Sequence, residues 1–151
     1  MSAAAALSED QRRELGGAMK RLRERTGATR TTLRVDFEDF RFPVEVECLA
    51  EGAGSIKGDE TFDLRKAASS KAVLETREML VQDDCTDHPF APPPEFVELY
   101  GVRAQIICPI VRDERVVAII SVHSRQGPRH WSEEDRAETE ATAAACAEVL
   151  G

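Results

Sequence analysis

The stretch "VRAQIICPIVRDERVVAIISVHS", from Val102 to Ser124, decides the fold. It holds two apolar, β-branched segments, "VRAQIICPIV" and "RVVAIISVHS", joined by the polar tripeptide "RDE". Segments of this length and composition are typical of β-strands, and a short polar connection between two of them favours an antiparallel hairpin. The sequence therefore predicts an antiparallel sheet at the centre of the molecule.

Helix signals lie at both ends of the chain. Ser8 followed by Gln11 predicts a capping box, and Gly27 is well placed to end the helix that follows. Near the other end, Trp131 and Ser132 precede a long Ala-rich helix with acidic residues in its first turn, as the helix dipole prefers. We therefore expect one helix before the sheet and one after it.

Four further elements are predicted between these signals. The alternating segments "TRTTLRVDF" and "VEVECLA" predict two more strands, "FDLRKAASSKAVLETRE" (62–78) a middle helix, and "MLVQ" (79–82) a short strand. Hairpins with helices at the chain ends predict an α+β fold. In that fold the terminal helices cover one face of the central antiparallel sheet, and the middle helix and loops cover the other.

Length and charge narrow the classes of function. The chain has 151 residues, which fits a single domain over 1–151, with residues 1–7 expected to be flexible. A net charge of −8 leaves little basic surface for phosphates, so neither a nucleic acid nor a membrane surface is expected as partner. Since the sequence contains no transmembrane or secretory pattern, we expect a cytoplasmic protein.

The second half of the chain resembles a known family. The segments "CPI" (108–110), "ISVHS" (120–124) and "WSEED" (131–135) resemble the closing part of GAF domains, and the order of elements fits over the whole chain. One departure is "VA" at 117–118, where the family often has glycine. The resemblance implies a sensory or regulatory module with a small organic ligand on the sheet face opposite the terminal helices. It also implies a homodimer through those helices, with signalling passed to the partner copy or to a separate protein.

Strand alternation predicts which residues line that face. Ala118, Ile120 and Val122 form an apolar set that suits the terminal helices, whereas Val117 falls on the other side with Ile119. The polar residues predicted on the ligand face are Arg34, Glu45, Glu47, Gln105, Ser121 and His123. The alternative is a solvated face with Arg–Glu pairs of little energetic value.

The segment "DDCTDHPFAPPPEFVELYG", from Asp83 to Gly101, is expected to cross the mouth of the ligand site. Its proline run (92–94) restricts the chain, and a single helical turn is predicted near its end. The rim or lid residues predicted here are Asp84, Cys85, His88, Phe90, Phe96 and Tyr100. These aromatic rings could instead anchor the loop to the core.

The sequence gives less support to a metal site or to catalysis. Cys85 and His88 are spaced for a metal, but two ligands do not make a zinc site, and no haem, bilin or metal motif is recognised. The resemblance offers one enzymatic precedent, the free methionine-R-sulfoxide reductases, with Cys85 as nucleophile. The closely placed second cysteine of those enzymes is absent, because Cys48, Cys108 and Cys146 are all distant in sequence. A ligand-free dimerisation scaffold is the third alternative.

Overall fold

Five antiparallel strands form one sheet in the order β2-β1-β5-β4-β3. The strands are β1 (Arg30–Val35), β2 (Val44–Leu49), β3 (Leu80–Gln82), β4 (Ala104–Arg112) and β5 (Arg115–Ser124). The predicted hairpin of β4 and β5 is confirmed, and its two turn residues, Asp113 and Glu114, have φ of 52° and 64°. Two positive φ angles in succession match the type I′ turn that follows the twist of the paired strands.

The computed structural model describes residues 6–37, 41–57, 67–87, 89–90, 92, 97–98, 100–125 and 127–151. Residues 1–5 of the N-terminal segment expected to be flexible, and most of the helical turn predicted near Gly101, lie outside these ranges. No described helix is long and apolar enough to cross a bilayer.

The two terminal helices cover one face of the sheet. Helix α1 (Glu9–Thr26) begins with the predicted capping box of Ser8 and ends at Gly27, which has φ 68°. The C-terminal helix runs from Glu133 to Leu150 and begins with a second capping box, formed by Ser132 and Asp135. Buried side chains from both helices and from alternate strand positions form the main core; they include Leu15, Met19, Leu22, Leu33, Ile106, Ile120, Val122, Ala143 and Cys146. We call this side of the sheet the helix face.

The middle helix, α2 (Ala68–Thr76), lies on the opposite face. Its Val73 packs with Ile107, Val116 and Ile119 of the sheet. The described helix is shorter than the predicted segment 62–78, of which residues 62–66 lie outside the described ranges. The C-terminal helix, Glu133–Leu150, is labelled α3. We call the side of the sheet that carries α2 the polar face, for the residues described below.

Two β-bulges change the predicted faces. The pairing of β1 with β2 shifts between Leu33 and Arg34, which makes Glu45 the extra residue. Glu45 therefore does not join Glu47: its carboxylate pairs with Arg12 of α1 at 2.7 Å, so this prediction was wrong. A second shift makes Val117 the extra residue of β5, and Val117 packs against the helix-face core instead of beside Ile119.

Candidate functional site

The polar face carries charged and polar side chains that are almost fully buried. They occupy two cross-strand rows, Leu49–Arg30–His123–Gln105–Gln82 and Glu47–Thr32–Ser121–Ile107–Leu80. Burying polar groups is unfavourable unless they are hydrogen-bonded. Such a concentration on one face of a small sheet therefore marks a candidate site.

Arg30 lies at the centre of the site, with 1% of its surface exposed. Its Nη1 donates to Nδ1 of His123 at 3.2 Å, and its Nε donates to the carbonyl of Gly54 at 3.1 Å. The guanidinium also lies 5.5 Å from the ring centroid of Tyr100 and 4.0 Å from a carboxylate oxygen of Glu47. Arg30 thus connects the sheet to two loops at the edge of the site, the one that contains Gly54 and the one that contains Tyr100.

Glu47 holds the first of these loops. Its carboxylate accepts from the Ser55 hydroxyl and, at 2.8 Å, from the backbone N–H of Ile56. With the bond from Arg30 to Gly54, this places residues 53–57 against the polar face. The predicted site residue Glu47 is therefore a structural member of the cluster.

His123 is a neutral imidazole with a defined tautomer. Burial, and then the positive charges of Arg30 and Arg34, hold the pKa of His123 well below its usual 6.5. Since Nδ1 accepts a hydrogen bond from Arg30, the ring proton is on Nε2. The site therefore combines two guanidinium groups, one of them close to the Glu47 carboxylate, with a neutral N–H donor.

Oγ1 of Thr32, whose residue is 0% exposed, and Oε1 of Gln105, whose residue is 1% exposed, are buried polar atoms with no hydrogen-bond partner among the described residues. Leaving such a group unpaired costs about 1–3 kcal/mol. These two atoms show where an additional molecule would be stabilised.

The structure brings together six of the predicted site residues: Arg34, Glu47, Tyr100, Gln105, Ser121 and His123. Arg34 is 5% exposed and donates to the carbonyl of Phe42 at 3.0 Å. Sequence reasoning missed Arg30 and Gln82. Arg30 could have been found, because it precedes Thr32 by two positions on the same strand face. Gln82 could not, because its position opposite Gln105 depends on the pairing of two strands that are distant in sequence.

The predicted rim residues are placed less uniformly. Asp84 accepts hydrogen bonds from the backbone and hydroxyl of Thr86, which lower the pKa of Asp84, so its carboxylate serves a local turn. Phe90 is 43% exposed, and its backbone carbonyl accepts a hydrogen bond from Gln82 at 2.6 Å. His88 and Phe96 lie outside the described residues.

Cys85 is placed unfavourably for nucleophilic chemistry. It packs in an apolar cluster with Val44, Ile56 and Val102, and burial, followed by the charge of Asp84, raises the pKa of its thiol to about 12. The three other thiols all pack on the helix face; they are Cys48, Cys108 and Cys146. A thiolate and a nearby resolving thiol, which disulfide-forming catalysis needs, are both disfavoured in this conformation.

The described part of the chain contains no cluster of metal-ligating side chains. No three His, Cys, Asp or Glu side chains there lie close enough to hold an ion. His88, which the sequence paired with Cys85 as a candidate ligand set, is outside the described ranges.

The fold defines a class: α+β domains built on one antiparallel sheet, with terminal helices on one side and a polar face on the other. The sequence profile of the GAF domain matches residues 12–150. The chain therefore belongs to the GAF domain family, as the sequence resemblance predicted. No curated protein sequence matches the chain.

Solved structures of GAF domains superpose on this one. The PixJ GAF domain of Thermosynechococcus elongatus, in its blue-light-absorbing form, has 18% identity and a TM-score of 0.78, over 93% of this chain and 84% of that one. The type II free methionine-R-sulfoxide reductase of Thermoplasma acidophilum has 16% identity and a TM-score of 0.73, over 94% and 93%. The GAF domain of an Acinetobacter phosphoenolpyruvate-protein phosphotransferase has 12% identity and a TM-score of 0.73, over 97% and 84%. At these identities the likeness shows the fold alone.

Proposed function

We propose that this GAF domain is a cytoplasmic sensory or regulatory module that binds a small polar organic molecule on its polar face. The observation that carries the proposal is the pair of buried, unpartnered atoms, Thr32 Oγ1 and Gln105 Oε1, among the residues that the structure describes. Buried polar groups are almost always hydrogen-bonded in native proteins, so a bound molecule is a natural source of the missing partners. The PixJ GAF domain, which shares the fold and has a blue-light-absorbing form, supports a sensory role.

Each part of the site has a proposed task. Arg34 attracts an anionic group of the ligand, and Ser121 and His123 supply hydrogen bonds. Tyr100 and the loop held by Arg30 border the bound molecule. The ligand therefore meets one cationic region and several neutral hydrogen-bonding groups.

We further propose that the output passes through a homodimer or a separate partner. A groove lies between the terminal helices, and its lining combines small or apolar residues such as Gly17, Ala18, Ala145 and Val149 with the charged Arg13, Glu14 and Arg21. Small side chains allow helices to approach closely, which suits a second copy. Analytical ultracentrifugation should give a dimer for the wild type and a monomer for Ala145→Glu; a wild-type monomer at high concentration contradicts this part.

The ligand proposal is tested with two adjacent threonines. Thr31 and Thr32 are both 0% exposed but point to opposite faces, and the Thr31 hydroxyl donates to the Met19 carbonyl at 2.8 Å. Thr31→Val should therefore destabilise the protein by about 1–2 kcal/mol, whereas Thr32→Val should leave it unchanged or more stable. Urea unfolding measures both.

Ligand affinity should show the reverse pattern: Thr32→Val should bind more weakly, and Thr31→Val should bind as wild type does. In a thermal-shift panel of polar metabolites, we expect at least one molecule that raises the Tm of wild type and of Thr31→Val. Its affinity should fall about tenfold in Thr32→Val, the equivalent of one lost hydrogen bond. A panel that stabilises none of the three proteins contradicts the proposal and favours a ligand-free scaffold.

A further inference from the structure

A chain of two glutamine amides runs from the backbone carbonyl of Phe90 into the site. Gln82 and Gln105 face each other on adjacent strands and are 0% and 1% exposed. Nε2 of Gln82 donates to the Phe90 carbonyl at 2.6 Å, and Nε2 of Gln105 donates to Oε1 of Gln82 at 2.6 Å. Both bonds are short, so the two amides form a well-defined series.

The direction of this series is fixed by its outer end. A backbone carbonyl can only accept, so the nitrogen of Gln82 must face Phe90 and its oxygen must face Gln105. That oxygen in turn requires the nitrogen of Gln105. Oε1 of Gln105 is then directed away from Gln82, and it is buried without a hydrogen-bond partner in the described ranges. An amide oxygen in this position can be satisfied only by a donor.

The charges around Gln105 restrict what kind of donor fits. His123 lies directly opposite Gln105 on β5, and the positive charges of Arg30 and Arg34 lie close enough to lower the pKa of that imidazole. A cationic donor such as an ammonium would be repelled at this point. An uncharged N–H or O–H donor satisfies the oxygen without that cost.

We propose that Gln105 is the specificity-determining residue of the site: it selects molecules that present an uncharged amide, hydroxyl or ring N–H donor to its Oε1. The inference rests on the proposed function and narrows its ligand class. A site built to hydrogen-bond such a group rejects an analogue without it, because the buried acceptor is then left unpaired. The two guanidinium groups favour a donor carried on a neutral or anionic molecule.

Matched pairs of small molecules test this inference. The probes are pyrrole-2-carboxylate against furan-2-carboxylate, indole-2-carboxylate against benzofuran-2-carboxylate, and 2-hydroxypropanoate against 2-methoxypropanoate. Affinities come from NMR titration of the δ1-methyl groups of Ile107 and Ile119, which lie on the polar face. In at least one pair, the donor-bearing member should bind wild type about tenfold more tightly or better.

Two variants at the same position separate recognition from a merely structural role. Gln105→Leu removes the acceptor and should abolish the preference within a pair. Gln105→Asn keeps an amide with both a donor and an acceptor and should retain the preference. If Gln105→Leu weakens both members equally, the residue is only structural and the inference falls.

The remaining outcomes also decide. Equal binding of both members by wild type, or stabilisation by panel molecules that have no N–H or O–H, overturns the inference and leaves the proposed function standing. Binding of no pair member contradicts the inference as well. Failure of the whole metabolite panel contradicts the proposed function itself.

Discussion

The two faces of the sheet are built from the same strands but differ in how their buried polar groups are paired. On the helix face, Leu33 and Ile120 pack in an apolar core, and the buried hydroxyl of Thr31 is paired with Met19. On the polar face, the neighbouring position Thr32 is equally buried, yet its hydroxyl has no partner in the described part of the chain. The helix face carries the largest apolar cluster of the described residues. The polar face contains buried polar groups that destabilise the fold when they are unpaired, and we propose that they are retained because they bind a ligand.

The largest expected effect is the loss of stability on replacing Arg30, which holds the polar side chains of the polar face together. Arg30→Met leaves Glu47 without its buried cation and removes the donor to Gly54 and His123. Removing one partner of a buried pair costs about 3–5 kcal/mol. Urea unfolding should show that loss, and hydrogen exchange should become faster over residues 51–57.

The matched control is an arginine at the surface. Arg25→Met removes an ion pair with Glu138 in which the arginine side chain is 61% exposed and the glutamate 36%, so it should change stability by less than about 1 kcal/mol. A loss below about 1 kcal/mol for Arg30→Met would mean that the buried cluster does not hold the site together.

Thiol reactivity sharpens the comparison between the faces. A rise in the pKa of Cys85 from 9.0 to about 12 lowers its thiolate population near neutral pH about a thousandfold. We expect iodoacetamide to modify the partly exposed Cys48 first in the native protein. Peptide mass spectrometry after timed alkylation measures the order; rapid, selective labelling of Cys85 would revive the sulfoxide reductase alternative.

The smallest expected effect is a pH dependence that belongs to the polar face. The unfolded chain binds a proton at His123 near pH 6.5, whereas the folded protein, with its lowered pKa, does not. Folding stability therefore falls as the pH drops, by about 1 kcal/mol between about pH 6.5 and 5.5. His123→Gln should remove this part of the loss.

Comparison of variants isolates the effect of His123 from that of other titrating groups. His130 is exposed on the surface, so His130→Gln should keep the acid loss of wild type. Urea unfolding at the two pH values measures all three proteins. Parallel stability curves for wild type and His123→Gln would show that this imidazole is not held neutral.

Much of the fold could be predicted from local patterns. Capping residues at Ser8 and Ser132 and the apolar alternation of β5 identified the terminal helices and the face that they cover. The bulges at Glu45 and Val117 could not be predicted, because one extra residue inside a strand has no local signal and reverses the side chains beyond it. The same limit applies to Gln82, whose role depends on its pairing with Gln105 across two strands that are distant in sequence.

The most direct measurement is a methyl NMR spectrum of protein labelled at the isoleucine δ1 positions. Three isoleucines contact the polar face or its loop, Ile56, Ile107 and Ile119, and three lie on the helix face, Ile106, Ile110 and Ile120. Titration with whichever panel metabolite raises the Tm should shift the first three signals and leave the second three in place. Shifts confined to the second set, or an unchanged spectrum with every metabolite tested, would contradict a ligand site on the polar face.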